Sequence, residues 1–188
     1  EREEYPARIS LVISNRRDAR GLERAREAGV PALWIPHKGR TREEFENALL
    51  ESLANHDVQW VALAGFMRLL SNVFLSRFAG RVLNIHPSLL PSFPGLGAQE
   101  QALRAGVRVS GATVHLVEEG TDTGPVILQG VVPVLQEDDV ETLRVRILKM
   151  EHQLYPRALA WAVEGRLELD SGGRLLIELP PGESLLLR

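Results

Sequence analysis

The sequence predicts an α/β protein built on a doubly wound, mostly parallel sheet, with an added antiparallel pair, a long carboxyl-terminal helix and a small terminal hairpin. Three observations predict it. Four short apolar runs, 8–14, 30–36, 57–64 and 81–86, are separated by helical segments, the pattern of parallel strands covered on both faces. Ser110 to Val117 instead alternates and is followed closely by a second β-rich run, as in an antiparallel pair. The longest helical stretch runs from Asp138 to about Val163.

Taken in order, Arg8-Ile9-Ser10-Leu11-Val12-Ile13-Ser14 reads as a buried strand and Asp18 to Ala28 as a helix closed by Gly29. Val30 to Pro36 is a short strand bounded by prolines. Thr41, with Glu44 three residues on, has the capping-box pattern and opens a helix through about Ala54. Asp57 to Ala64 is an apolar strand, Ser71 caps a short helix to Phe78, and the strand 81–86 follows. Gln99 to Ala105 is a helix stopped by Gly106, and the antiparallel pair occupies 110–117 and 124–129. Asp138 with Glu141 opens the longest helix, whose core stripe is Val140, Leu143, Ile147, Leu154 and Leu159 and which Pro156 should kink. Leu167 to Leu179 reads as a hairpin turning at Ser171-Gly172-Gly173, and Pro180-Pro181-Gly182 leads out. No repeat or linker interrupts residues 1–188, which read as one domain.

Composition excludes several function classes. With 44% hydrophobic and 25% charged residues the chain has the makings of an ordinary globular core, and a net charge of -3 provides no footprint for nucleic acid. The absence of cysteine removes disulfides, thiolate metal sites and cysteine nucleophiles. His37, His56 and His152 have no ligand spacing, so no metal is expected. No run approaches the roughly 18 apolar residues that span a bilayer. Glu1-Arg2-Glu3-Glu4 is not a secretory leader, so the expected home is the cytoplasm, with no membrane partner.

In open α/β sheets ligands collect at the carboxyl ends of strands. Two such ends stand out here: Gly65-Phe66-Met67-Arg68, and the tip of strand 81–86. Alternation puts Asn84 and His86 on one face and Ile85 on the other. Pro87 keeps His86 extended, and Pro91, Pro94 and Gly95 end the strand there. The connection Glu118 to Gly124 is polar and acidic; beside the strand tip, Asp122 would accept a hydrogen bond from His86 and favour its imidazolium form. A protonated His86 and the Asn84 amide would then be two donors converging on one point, as acyl transfer through an oxyanion requires. Ser88 lacks a nucleophile elbow and no other protein nucleophile is evident, so direct attack of one substrate on another is the economical route. Gly95-Leu96-Gly97 is not a dinucleotide fingerprint. His115 reads either as a buried structural histidine or as a neighbour of the site. Singly, a strand-end histidine is more often structural and an asparagine beside prolines more often a turn residue. The combination is what points to chemistry.

Ala64-Gly65-Phe66-Met67-Arg68-Leu69-Leu70, then Leu83-Asn84-Ile85-His86-Pro87-Ser88-Leu89-Leu90-Pro91, then Asp122-Thr123-Gly124-Pro125 together resemble the glycinamide ribonucleotide formyltransferases, of the folate-dependent formyltransferase superfamily. The similarity extends to Gly21-Leu22-Glu23-Arg24-Ala25 and to Glu151-His152 with Tyr155-Pro156. It implies the formyltransferase fold and transfer of a formyl group from 10-formyltetrahydrofolate to the amine of glycinamide ribonucleotide in purine synthesis, without a metal. Asn84 and His86 would stabilise the tetrahedral intermediate while Asp122 orients His86. Met67, Arg68, Leu69 and Leu70 would line the folate pocket with Glu118, Glu119, Gly120 and Thr121; Arg42 would contact the folate and Glu151 the ribonucleotide. The family opens with a strand and a Gly-rich loop that holds the substrate phosphate, so about 20 to 25 residues carrying that unit are expected ahead of Glu1. A monomer or weak homodimer is expected. Methionyl-tRNA formyltransferases share Asn-x-His-Pro-Ser-Leu-Leu-Pro but resemble longer chains with an RNA-binding domain, and formyltetrahydrofolate hydrolases carry an extra regulatory domain. A catalytically silent folate-binding module is the alternative of a different class.

Overall fold

The computed structural model describes residues 5–172 and 174–187; the opening Glu1-Arg2-Glu3-Glu4, Gly173 of the expected hairpin turn, and Arg188 lie outside the described residues. In chain order the elements are β1 (Val12–Ser14), α1 (Arg20–Glu27), β2 (Ala32–Trp34), α2 (Arg42–Ala54), β3 (Val61–Leu63), α3 (Asn72–Arg77), β4 (Val82–His86), α4 (Ala98–Ala105), β5 (Val109–Leu116), β6 (Val126–Pro133), α5 (Val140–Val163), β7 (Leu167–Leu169), β8 (Leu175–Ile177) and β9 (Leu186–Leu187). They form two compact units, one comprising residues up to Gln59 with Leu70–Phe78, the other Trp60–Leu69 with everything from Ala79 onward.

In the first unit β1 and β2 pair in parallel, with Val12 opposite Ala32 and Ser14 opposite Trp34. Both strands are shorter than the apolar runs that announce them and half-buried rather than buried. A ladder of two strands with α1 packed against it gives each strand only one paired side. The α2 cap forms as its spacing predicts: Thr41 Oγ1 accepts from the Glu44 N–H at 3.2 Å, and Glu44 Oε2 accepts from the Thr41 N–H at 2.8 Å. Ser71 likewise caps α3, accepting from the Phe74 N–H.

The second unit is organised on a five-stranded sheet in the order β3-β4-β5-β6-β9. β3 and β4 are parallel, β5 and β6 are the added antiparallel pair, and β5 joins that pair to β4, also antiparallel. The tail differs from the expectation that Pro180-Pro181-Gly182 leads out. It returns to place β9 parallel to β6, with Leu186 opposite Gln129. The β7–β8 hairpin forms, and Asp170 Oδ1 accepts the N–H groups of Gly172 and Arg174 across its turn.

Register divides this sheet into two unlike faces. Asn84 lies opposite His115, His86 opposite Thr113, and Thr113 opposite Gln129, so all share one side. Leu83 opposite Leu116, Ile85 opposite Val114 and Ala112 opposite Gly130 form the other. The apolar side packs on α5 through Leu143, Ile147, Met150, Leu154 and Trp161. Each such fully buried aliphatic side chain contributes roughly 1.5–3 kcal/mol. Gly130 lets the helix approach, since a Cβ there would lie 2.4 Å from Met150 Sδ. Of the expected stripe, Val140 is exposed in the first turn and Leu159 half-buried. The helix is continuous through Pro156.

Asp139, not Asp138, caps α5, and its box partner is Thr142 rather than Glu141. The reason is competition for Asp138: its carboxylate accepts from Arg146 at 2.5 and 2.8 Å and from the Leu135 N–H at 2.7 Å. Arg146, chiefly through these hydrogen bonds, holds the Asp138 carboxyl well below its ordinary value. A carboxyl lowered by folding stabilises above its unfolded value and loses that contribution as pH falls toward the folded one. The urea midpoint of Asp138→Asn should therefore lie below that of the parent at pH 7, with the gap closing under acid conditions. A gap independent of pH would contradict the ion pair. Among the described residues, no helix is long and apolar enough to cross a membrane.

Candidate active site

The end of β4 is buried and polar. His86 is 5% exposed, with Nε2 2.9 Å from the Phe93 carbonyl oxygen and Nδ1 3.2 Å from Asp122 Oδ2. Both partners are acceptors, so the ring satisfies both only as a double donor. Asp122 stands in the left-handed region at φ 56°, a conformation aspartate reaches more readily than most residues. Its Oδ2 also accepts the Gly95 N–H at 2.8 Å, tying the acidic loop to the proline-rich turn. The structure thus brings Asp122 to His86. It does not leave the imidazole facing an open point beside Asn84, because the Phe93 carbonyl occupies Nε2.

The turn between Pro87 and Gly95 is clamped from β5 and β6. Thr113 Oγ1 donates to the Ser88 carbonyl at 2.7 Å and accepts from the Leu90 N–H and from Gln129 Nε2, each at 3.0 Å. Its hydroxyl is fully used. Gln129 Nε2 also donates to the Leu90 carbonyl at 3.0 Å, and Ser88 Oγ to the Ser92 carbonyl. Ser88 is fully buried in this role.

His115, which the sequence leaves between two readings, is 2% exposed and lies beside Asn84 and Asp122. Its Nδ1 is 2.8 Å from the Leu116 carbonyl oxygen, and its Nε2 is 3.2 Å from Asn84 Nδ2 and 3.7 Å from Asp122 Oδ1. Burial pushes its pKa down; the Leu116 carbonyl and the Asp122 charge pull it back, and His86 lowers it further.

The remaining sequence candidates fall in different settings. In the second unit Met67 and Leu69 are 79% and 56% exposed, large apolar side chains left open beyond β3, and Arg68 between them is half-buried. Glu118, Glu119, Gly120 and Thr121 are exposed in the loop before Asp122. Glu151 on α5 is half-buried and burial raises its pKa, with His152 and Arg144 opposing. One turn later Tyr155 donates to the Leu63 carbonyl at 2.6 Å, with the Leu83 carbonyl at 3.1 Å, so α5 holds the end of β3 and the start of β4. In the first unit Leu70 is buried as core, and Arg42 Nε bonds Glu46 Oε1 at 3.1 Å.

Three residues escaped the sequence reading. Glu46, 4% exposed, accepts from Arg42, from the Ser71 N–H at 2.9 Å and from the Ser71 hydroxyl. Its signal was the Arg42-x-x-x-Glu46 spacing, one helical turn. Thr113 and Gln129 were signalled by polar residues at alternate positions of apolar strands, though their pairing needs the register.

The formyl transferase family model matches residues 1–159. A trifunctional purine biosynthetic protein adenosine-3 from Drosophila pseudoobscura pseudoobscura is 52% identical over 162 residues, 86% of this chain; the chain spans only 12% of that relative's length. A phosphoribosylglycinamide formyltransferase from Bacillus subtilis is 42% identical over 158 residues, covering 84% of this chain and 81% of that protein. A solved glycinamide ribonucleotide transformylase 1 from Symbiobacterium toebii is 54% identical with a TM-score of 0.87, covering 90% of this chain and 80% of that one. Since the family match takes in both the β4 tip and the 118–125 loop, and the likeness holds in sequence and in backbone alike, the chain belongs to the formyl transferase family.

Proposed function

We propose that the protein transfers a formyl group from 10-formyltetrahydrofolate to the amine of glycinamide ribonucleotide, a step of purine synthesis. The observation that supports this best is the cluster at the tip of β4, where the half-buried Asn84 and Asp122 meet the buried His86 and His115. The substrate amine attacks the formyl carbon, forming a C–N bond and an oxyanion. The oxyanion then collapses, the bond from carbon to the folate nitrogen breaks, and the proton lost by the amine passes to that nitrogen. Asn84 donates through its amide to the oxyanion. His86 contributes its charge and, once the oxyanion replaces the Phe93 carbonyl at Nε2, a second hydrogen bond; Asp122 orients it through Nδ1.

The folate is a substrate here, and the residues present fit it. Met67 and Leu69 offer exposed apolar surface for a flat ring system, and Arg68 and the exposed residues Glu118, Glu119, Gly120 and Thr121 are assigned to the folate with them. Arg42, with a half-exposed guanidinium steadied by Glu46, suits a folate carboxylate, and Leu70 acts through its packing. Glu151 is assigned to the ribonucleotide. The absence of cysteine suits the cytoplasm, where both substrates occur, and the protein acts as a monomer or weak homodimer.

The test supplies the purified protein with both substrates and follows formylated product and tetrahydrofolate together. Equal amounts of each support transfer. Folate binding without product would mark a silent module, and formate released without the amine would mark a hydrolase. Arg42→Ala should raise the folate KM more than the ribonucleotide KM; equal effects would place Arg42 elsewhere.

A further inference from the structure

We infer that His115 is a positioning residue for the transfer proposed above: held as its Nδ1–H tautomer by the Leu116 carbonyl, it accepts a hydrogen bond from Asn84 and so fixes which end of that amide faces the reacting group. The inference rests on the formyl-transfer reading for its consequence, and on the hydrogen-bond geometry and burial of His115 for its premise.

For a neutral ring the geometry leaves one consistent assignment. A carbonyl oxygen can only accept, so Nδ1 of His115, 2.8 Å from the Leu116 oxygen, carries the hydrogen. A neutral ring then has its lone pair on Nε2, and the partner of Nε2 at 3.2 Å must be a donor. Asn84 therefore turns its Nδ2 toward His115, spending one amide hydrogen there. The other hydrogen on Nδ2 is left for a substrate oxyanion, and the Asn84 carbonyl oxygen points away from His115. Turning the amide over would set its oxygen against the lone pair of a buried Nε2. At 2% exposure that conflict has no relief.

The charged and titratable groups facing His115 are the Asp122 carboxylate, 3.7 Å from Nε2, and His86 on the far side of that carboxylate. Asp122 favours a second proton on His115, and burial opposes it more strongly. Neutrality matters, because an imidazolium at position 115 would donate at Nε2, attract the Asn84 oxygen and swing the amide donors off the substrate. Asp122 thus serves two histidines differently. It bonds His86 as a double donor, while His115 beside it stays an acceptor.

Two measurements test this. In the intact unliganded protein labelled with 15N-histidine, the ring-nitrogen shifts of His115 should report Nδ1–H, the minor tautomer of free histidine in water. In kinetics, His115→Phe should lower kcat by about tenfold to hundredfold, as for a misaimed catalytic group, with both KM values within about twofold of the parent at unchanged thermal stability. His115→Gln, whose side-chain oxygen reaches the place of Nε2, should recover most of that loss and flatten the acid limb of the kcat profile. An Nε2–H tautomer overturns the inference whatever the activity. Equal loss in the Phe and Gln variants overturns it as well, since a purely structural role would show no preference for an acceptor. An Nδ1–H tautomer in a parent protein that transfers no formyl group would instead sink the formyl-transfer reading and leave the tautomer lock standing.

Discussion

Asn84→Ala and His86→Ala are each expected to lower turnover by roughly two to three powers of ten, the cost of removing one preorganised oxyanion donor. Folate affinity should stay within several-fold, because neither side chain lies among the residues assigned to the folate. The loss belongs in kcat rather than KM, since the donors meet their target only when charge develops on the formyl oxygen. The two substitutions should differ in their side effects. Asn84 contacts one ring nitrogen, whereas His86 joins the Phe93 carbonyl to the carboxylate that also holds the Gly95 N–H. His86→Ala should therefore loosen the turn and lower thermal stability as well, and Asn84→Ala should not. Near-parent turnover in both variants would end the case for an oxyanion site here.

Gly111→Ala is expected to be among the most damaging small substitutions in the second unit. A Cβ at that position would stand 1.9 Å from the Gly130 carbonyl oxygen and 2.8 Å from Leu89 Cδ2. The first obstacle is backbone, so no rotamer change relieves it, and β5 and β6 would have to part. Overpacking typically costs about 1–3 kcal/mol and more where nothing can yield. At the upper end the melting temperature of a chain this size falls by roughly 6–12 °C. Leu89 sits in the turn that carries the β4 tip, so turnover should fall with it. Gly130→Ala makes a useful contrast, because its added methyl would meet the Met150 side chain, which can move. Scanning calorimetry on the pair decides the matter: an unchanged melting temperature for Gly111→Ala would mean that the two strands have slack.

What was legible in the sequence was what neighbours in the chain decide. Thr41 and Glu44 cap α2 because both partners lie within one turn, and Gly106 stops α4 because its backbone is left-handed at φ 67°. The α5 cap was misplaced by one residue because Arg146, two turns into the helix, claims Asp138. β9 was invisible, being two residues long and paired with a strand far away in sequence. Among the candidate site residues, alternation at a proline-terminated strand picks out Asn84 and His86, and the acidity of its loop picks out Asp122. His115 could not be assigned from the chain alone, because its place depends on lying opposite Asn84. Glu46 hid as one more acid on a charged helix, and only burial shows it to be an anchor.

The two-faced sheet has an evolutionary consequence. A one-residue slip between β4 and β5 would turn Leu116 and Val114 toward the polar side and drive His115 into the helix packing. The accuracy of the cluster is thus inherited from hydrophobic burial, and selection on the core alone keeps the reactive groups in line. The strands thus carry Asn84, His86 and His115, while Asp122 depends on its loop keeping the Gly95 N–H contact that ties it to the turn.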